Sequence, residues 1–201
     1  MVSYAALDIE TSNLDMEAEG LSFDNPKGWD ISCICIVNEE GVSWTFTDSA
    51  NLAQGDFPNL YPLSRFVEIF TKEIIPHHII LTHNGYRFDF PIIQEYLKRE
   101  FNQVLPEYFE HFDSCDYLLA KTGVRYRLAH LVSYHLGLSE SKLMDASNAP
   151  ISWAEGKHHE VVEYCLHDCS LTIQMIKNAL GMGHFNAIGK PEYAEVQFRG
   201  M

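Results

Sequence analysis

Apolar positions in the first half of the chain run continuously or alternate with polar ones, as they do in β-strands. Ser3–Ile9 is largely apolar, and Ile31–Val37 is rich in isoleucine, valine and cysteine, so both segments predict strands. The turn residues Asn38–Gly41 predict a hairpin leading into a third strand, Val42–Phe46. A short apolar run, His78–Thr82, predicts a further strand after a turn-rich connection.

Later segments place their apolar residues at helical spacing. Helices are predicted at Leu63–Ile75, Phe90–Phe101, Arg127–Leu136 and Ala154–Leu180, the last interrupted near Gly156. A short strand is also predicted at Phe112–Tyr117, followed by Leu118–Lys121. Three antiparallel strands followed by alternating helices and parallel strands predict an α/β fold, with a mixed central sheet flanked by helices. We expect one domain over residues 1–201, with its core at about 3–180 and an irregular tail at 181–201.

The acidic composition narrows the classes of function. A formal net charge of −14 disfavours a general nucleic-acid coat protein, but it is compatible with an enzyme that contacts phosphates through metal ions. No apolar stretch reaches membrane-spanning length and no secretory leader is visible, so we expect a cytoplasmic protein without a membrane partner. Five cysteines without a Cys-x-x-Cys pair predict free buried thiols rather than a zinc site.

Two carboxylates stand two positions apart in the first strand. Asp8 and Glu10 should project from the same face, because side chains alternate along a strand. Two buried like charges repel each other unless a positive group lies between them, and a hard divalent cation is the usual partner of clustered carboxylates. The alternative is a strand end that carries two solvated acids.

Two later segments contain further candidates. Asp89 follows the turn at Asn84 and stands at a predicted helix start, where it is either an N-cap or a third carboxylate at the end of the sheet. Tyr164 and Asp168 are four residues apart and therefore share one face of the last helix. A lone aspartate within a helix is usually solvated, whereas a Tyr/Asp pair in an apolar helix is less common.

Three short motifs stand in chain order: Asp8-x-Glu10-Thr11, Asn84-x3-Phe88-Asp89 and Tyr164-x3-Asp168. Together they resemble the three exonuclease motifs of the DEDD superfamily, over roughly residues 3–180. The similarity is especially close to the proofreading domains of family B DNA polymerases and to small stand-alone ribonuclease H-like exonucleases. The sibling branch has a histidine five residues before the last aspartate. Glu163 occupies that position here, so the resemblance is to the tyrosine-containing branch, and it implies a ribonuclease H-like fold.

The resemblance implies a metal-dependent 3′–5′ exonuclease that releases nucleoside monophosphates from single-stranded DNA or, less favoured, RNA. Two ions, Mg²⁺ or Mn²⁺, about 4 Å apart would stabilise the attacking and leaving oxygens. In that scheme Asp8 bridges both ions, Glu10 and Asp168 complete the ion that binds the attacking water, and Asp89 holds the other. Tyr164 would orient that water.

The resemblance also implies contacts of the Thr11 backbone and of Asn84 with the terminal nucleotide. Phe88 is a further candidate for binding substrate, and it is either a core residue or a stacking surface for a base. A protein partner that supplies basic surface would fit the acidity of the chain, and the oligomeric state is left open. Two other functions compete with this one. The first is a non-catalytic nucleic-acid-binding or scaffolding module that keeps the fold. The second is a haloacid-dehalogenase-type phosphatase, which requires an aspartate where Glu10 stands.

Overall fold

The chain folds around a six-stranded sheet in a computed structural model that describes residues 3–138, 146–185 and 194–195. The strands of this sheet are β1 Ser3–Thr11, β2 Ile31–Asn38, β3 Ser43–Phe46, β4 Leu60–Tyr61, β5 His78–Thr82 and β6 His111–Asp113. Their spatial order is β4-β3-β2-β1-β5-β6. β2 pairs antiparallel with both β1 and β3, whereas β5 pairs parallel with β1 and β6. The predicted mixed sheet is confirmed.

Helices cover both faces of this sheet. They are α1 Phe66–Ile69, α2 Asp89–Phe101, α3 Ser114–Thr122, α4 Leu128–Leu136, α5 Ala149–Ala154 and α6 His158–Met182. α1 continues a 3₁₀ turn at Leu63–Arg65 and leads into a π turn at Phe70–Ile74, so the predicted helix at Leu63–Ile75 is one irregular helical segment. None of the helices within the described residues is long and apolar enough to cross a lipid bilayer.

The alternation of β1 divides the core into two layers. Ala5, Leu7 and Ile9 pack on the layer that contains α1 and α2. Tyr4 and Ala6 pack on the opposite layer, which contains α4 and α6. Because side chains alternate, residues 8 and 10 of β1 continue the face that α6 covers.

One predicted element needs correction, and one predicted break in a helix is present. The strand predicted at Phe112–Tyr117 is wrong beyond Asp113, because the Asp113 side chain caps α3 by accepting the backbone N–H of Asp116 at 2.9 Å. Leu118–Lys121 lies within that helix. The interruption predicted near Gly156 is confirmed, because α5 ends at Ala154, α6 begins at His158, and Gly156 lies between them with a φ of 82°.

The C-terminal segment contains more regular structure than we expected. α6 extends to Met182, and the two-residue strands β7 His184–Phe185 and β8 Ala194–Glu195 pair antiparallel within the stretch expected to be irregular. The rest of that stretch lies outside the described residues.

Candidate active site

β1 carries the first two acids of the site into the core. Asp8 is partly buried and Glu10 is 8% exposed, on the face of β1 that α6 covers. β1 is central in the sheet, between β2 and β5, and all of its residues except Ser3 and Asp8 are buried. The two acids are therefore not the solvated strand end that the sequence left open.

Asp89 joins them from the start of α2. Its Oδ1 accepts the backbone N–H of Ile9 at 3.1 Å, and its side chain also hydrogen-bonds Asp8. Asp89 is 4% exposed and is the first residue of its helix, while Phe88 occupies the N-cap position without a side-chain cap bond. The N-cap alternative for Asp89 is therefore wrong, because its carboxylate binds the central strand instead.

α6 brings the tyrosine and the last aspartate to the same place. Tyr164 is only 1% exposed, and its hydroxyl donates a hydrogen bond to the carboxylate of Asp168. The two residues lie one helical turn apart, as the sequence spacing predicts. Asp168 is close enough to Asp8 for their charges to interact, so the second motif and the third both converge on β1.

Crowding of like charges changes the proton affinities of the site. Burial raises the pKa of Asp8 well above its usual value, and the neighbouring charges of Asp89, Cys169, Glu10 and Asp168 raise it further. Burial likewise raises the pKa of Asp89, to about 7. Without a cation, a proton held on Asp8 can be shared with the Asp89 carboxylate through their hydrogen bond.

Tyr164 is neutral in this environment. Burial raises the pKa of its hydroxyl far above the ordinary value, and the nearby charges of Asp168, Glu10 and Asp8 add to the effect. A hydroxyl that keeps its proton can donate a hydrogen bond and orient a neighbouring group, but it cannot serve as a general base near neutral pH.

A divalent cation fits the donor set of this site. Asp8, Glu10, Asp89 and Asp168 offer hard carboxylate oxygens, and their mutual repulsion would be relieved by a positive charge placed among them. Clustered oxygens of this kind favour Mg²⁺ or Mn²⁺ over a soft ion.

The three residues expected to contact substrate lie around these carboxylates in the chain, with different degrees of exposure. Thr11 is 8% exposed and follows an irregularity in the β1–β2 register after Glu10. Asn84 has a left-handed φ of 78°, and its buried Oδ1 has no hydrogen-bond partner among the described residues. A buried amide oxygen in that condition lacks the hydrogen bond that such groups normally make. Phe88 is half-buried, directly before Asp89.

Asp113, which the sequence interpretation did not single out, organises the loop before Asp89. Its carboxylate accepts hydrogen bonds of 2.9–3.1 Å from the backbone N–H groups of Asn84, Tyr86 and Asp116 and from the hydroxyl of Thr82. Burial alone would raise the pKa of Asp113, but these bonds together hold it below its usual value. The turn requires glycine at position 85, because a Cβ there would lie only 2.6 Å from the Thr82 side chain. Asp113 therefore positions the segment that carries Asn84 and Asp89.

An aromatic cluster beside the acids also escaped sequence interpretation. Phe23, from the loop at residues 12–30, lies 5.7 Å from Phe88 and 5.8 Å from Trp29, measured between ring centroids. Trp29 is 4% exposed and packs edge-on against Phe88, whereas Phe23 is 66% exposed. The loop thus presents the exposed ring of Phe23, which packs against Trp29 and Phe88, and Phe88 directly precedes Asp89 in the chain.

Known proteins resemble this chain in sequence pattern and in fold. The family model RNase_H_2, described as RNase_H superfamily, matches residues 12–180. Among curated proteins, none matches the sequence. A family B DNA polymerase from the hyperthermophilic archaeon Pyrobaculum calidifontis has a similar solved structure, with a TM-score of 0.61 and 17% sequence identity. The match covers 90% of this chain and 25% of the polymerase chain, so the chain spans about a quarter of the polymerase's length and shares its fold over that part.

Proposed function

The chain belongs to the ribonuclease H superfamily, and from that membership we propose that it is a 3′–5′ exonuclease of the tyrosine-containing DEDD type. The superfamily also accounts for the mixed sheet flanked by helices, and it leaves no support for the phosphatase alternative. The observation that carries the proposal is the meeting of four carboxylates, Asp8, Glu10, Asp89 and Asp168, beside the hydroxyl of Tyr164. The reaction is hydrolysis of the terminal phosphodiester of single-stranded nucleic acid, with release of a nucleoside monophosphate.

The four carboxylates would hold two divalent cations, Mg²⁺ or Mn²⁺. When bound, such ions lower the pKa of a coordinated water and stabilise charge on phosphate oxygens. Before they bind, the protons on Asp8 and Asp89 have to leave. Occupancy should therefore increase as the pH rises through about 7, where Asp89 ionises, and should continue to increase beyond it because the pKa of Asp8 is also raised.

Tyr164 positions the attacking water in this proposal. Its hydroxyl already points at Asp168 and keeps its proton, so it can hold a water in a fixed orientation without removing a proton from it. The hydrogen bond from the Ile9 backbone N–H to the Asp89 carboxylate holds α2 against β1, which keeps the second motif beside the first.

Recognition of the nucleic acid would rely on few phosphate contacts, as the net charge of −14 requires. The exposed ring of Phe23, supported by Phe88, offers a stacking surface for an unpaired base. Asn84 offers a buried amide oxygen to the terminal nucleotide. These features favour single strands over duplexes, and DNA is the substrate we favour. The free cysteine thiols fit a reducing, cytoplasmic compartment.

Stepwise degradation of a labelled oligonucleotide tests the proposal. Single-stranded DNA and RNA of one sequence, labelled at the 5′ end, should shorten progressively from the 3′ end with Mg²⁺ or Mn²⁺ and stay intact in EDTA. Asp168→Asn should abolish cleavage, whereas Asp24→Asn, an exposed acid in the loop, should leave it unchanged. Binding without cleavage would instead support a non-catalytic module, and internal or 5′ cleavage would refute the assigned direction.

A further inference from the structure

Three of the five cysteines meet at one point in the core, outside the carboxylate centre, and a fourth is hydrogen-bonded to this group. Cys33, Cys35 and Cys165 are each 0% exposed, and the Sγ atoms of these three residues all lie within 4.8 Å of one another. Cys169 is 1% exposed, and its side chain hydrogen-bonds that of Cys165. The fifth cysteine, Cys115, belongs to α3 and is not part of the group.

The cluster follows from the spacing of the two pairs. Cys33 and Cys35 are two residues apart on β2 and so point to the same face of the sheet. Cys165 and Cys169 are four apart on α6, on the helix face that packs against β2. Thiol-to-backbone hydrogen bonds join the two elements here, because the Cys169 thiol donates to the Cys35 carbonyl oxygen at 3.4 Å and the Cys35 thiol donates to the Val162 carbonyl oxygen at 3.9 Å.

We propose that these thiols form a closed structural site for Zn²⁺, with Cys33, Cys35 and Cys165 as ligands and Cys169 as the fourth. Zinc in structural sites prefers four ligands in a tetrahedral arrangement, with Zn–S bonds of about 2.3 Å. The sulfurs of Cys33, Cys35 and Cys165 already lie within 4.8 Å of one another and need only small movements to reach that arrangement. Cys169, whose thiol donates to the Cys35 carbonyl oxygen, would have to turn from that oxygen to the ion. Binding displaces one proton from each ligating thiol, and the protons pass to solvent.

The two sites offer different donor atoms and should therefore select different metal ions. Sulfur donors select soft or borderline ions such as Zn²⁺, whereas the carboxylate oxygens of Asp8 and its neighbours select Mg²⁺ or Mn²⁺. The thiol site is fully enclosed, so no coordination position is open to substrate, and its role is to join β2 to α6. Thiolates around zinc carry a net negative charge close to Asp168, and divalent cations at the carboxylates would offset that charge.

Burial alone does not require a metal, because free cysteine often packs as a small apolar residue. The matched comparison is within the chain. Cys115, on α3, is a buried thiol outside the group, whereas the sulfurs of Cys33, Cys35 and Cys165 lie within 4.8 Å of one another and Cys169 hydrogen-bonds Cys165. If these thiols bind zinc, binding should depend on the four cysteines of β2 and α6 and not on Cys115.

Metal analysis and cobalt substitution test the site. Wild-type protein purified under reducing conditions and washed with EDTA should retain equimolar zinc by mass spectrometry. Co²⁺ added to metal-free protein should give intense sulfur-to-cobalt charge-transfer absorption, which ions bound to carboxylates do not give. Cys165→Ser and Cys33→Val should lose both signals, and Cys115→Ser should keep them.

The wild type alone is sufficient to overturn the proposal, so the test does not depend on the variants folding. Wild-type protein that retains no zinc, and that shows no charge-transfer band with Co²⁺, would show that the thiols only pack. Retention of equal zinc by folded Cys165→Ser, judged by its circular dichroism, would place the ion elsewhere. The result is independent of nuclease activity, because the readout is a spectrum and a metal content.

Discussion

Replacing Asp89 by asparagine should stabilise the metal-free protein, although it removes a proposed metal ligand. The asparagine side chain keeps an oxygen at Oδ1 that can accept the Ile9 N–H, so the contact between α2 and β1 should survive. The substitution removes one of the charges that crowd around Asp8. A site that carries repelling carboxylates is less stable than one in which a charge has been neutralised.

The expected size follows from the pKa of Asp89, which burial raises from 3.8 to about 7. Each pKa unit corresponds to about 1.4 kcal/mol, so the fully ionised carboxyl costs the fold about 4 kcal/mol. Because the folded form keeps its proton to higher pH than the unfolded form, stability is full below pH 3.8 and is lost as the pH rises to about 7. Between about pH 5 and about pH 8, the advantage of Asp89→Asn should grow by about 3 kcal/mol.

Thermal and denaturant unfolding in EDTA measure this advantage across the pH range. The growth corresponds to roughly 6–12 °C in Tm for a chain of this size. Asp24→Asn, a loss of charge at an exposed position, should show no such growth. Saturating Mg²⁺ should reverse the order, because it stabilises the wild type by binding to the folded state. A variant advantage that does not increase with pH, or a variant less stable at every pH, would refute the crowded-charge reasoning.

Three further substitutions probe single contacts. Tyr164→Phe keeps the ring and removes the hydroxyl, so kcat should fall about 100-fold. Mn²⁺ binding, measured by electron paramagnetic resonance, should stay unchanged. Full activity of the variant would mean that the tyrosine only packs in the core. Asp113→Asn cannot accept all four hydrogen bonds, so the affinity for Mn²⁺ measured by calorimetry should fall about 10-fold or more. The control Asp116→Asn changes a partly exposed side chain and keeps the backbone N–H that donates to Asp113, so it should bind Mn²⁺ normally. Equal affinities of the two variants would show that Asp113 does not position the site. Phe23→Ala should raise the KM for single-stranded DNA about 10-fold while kcat is retained, and Phe23→Trp should keep the KM of the wild type. Tyr108→Ala removes an exposed ring elsewhere on the surface, and a similar rise in its KM would contradict a stacking role for Phe23.

Local spacing was sufficient to predict the parts of the site that lie within one element. Asp8 and Glu10 share a face because strands have a period of two, and Tyr164 pairs with Asp168 because helical neighbours are four apart. The resemblance of the three motifs then indicated that these elements converge, which no local pattern could show.

Contacts between distant segments were not readable from the sequence. The partners of Asp113 at the loop backbone are 27 and 29 residues away, and its position after a strand-like run predicted continued strand instead of a helix cap. Phe23 looked like one apolar residue in a polar loop, and only the packing of that loop brings it to Phe88. The two cysteine pairs have ordinary strand and helix spacing, and only the packing of β2 against α6 brings them together.

The most direct test of the central claim is anomalous diffraction from crystals grown with Mn²⁺ and a nucleoside monophosphate. We predict manganese peaks coordinated by Asp8, Glu10, Asp89 and Asp168, with the phosphate of the nucleotide on the same ions and the Tyr164 hydroxyl beside it. Crystals of Asp8→Asn should lose the peaks. Manganese or nucleotide bound away from these carboxylates, or no manganese at all in crystals of the wild type, would contradict the proposed centre.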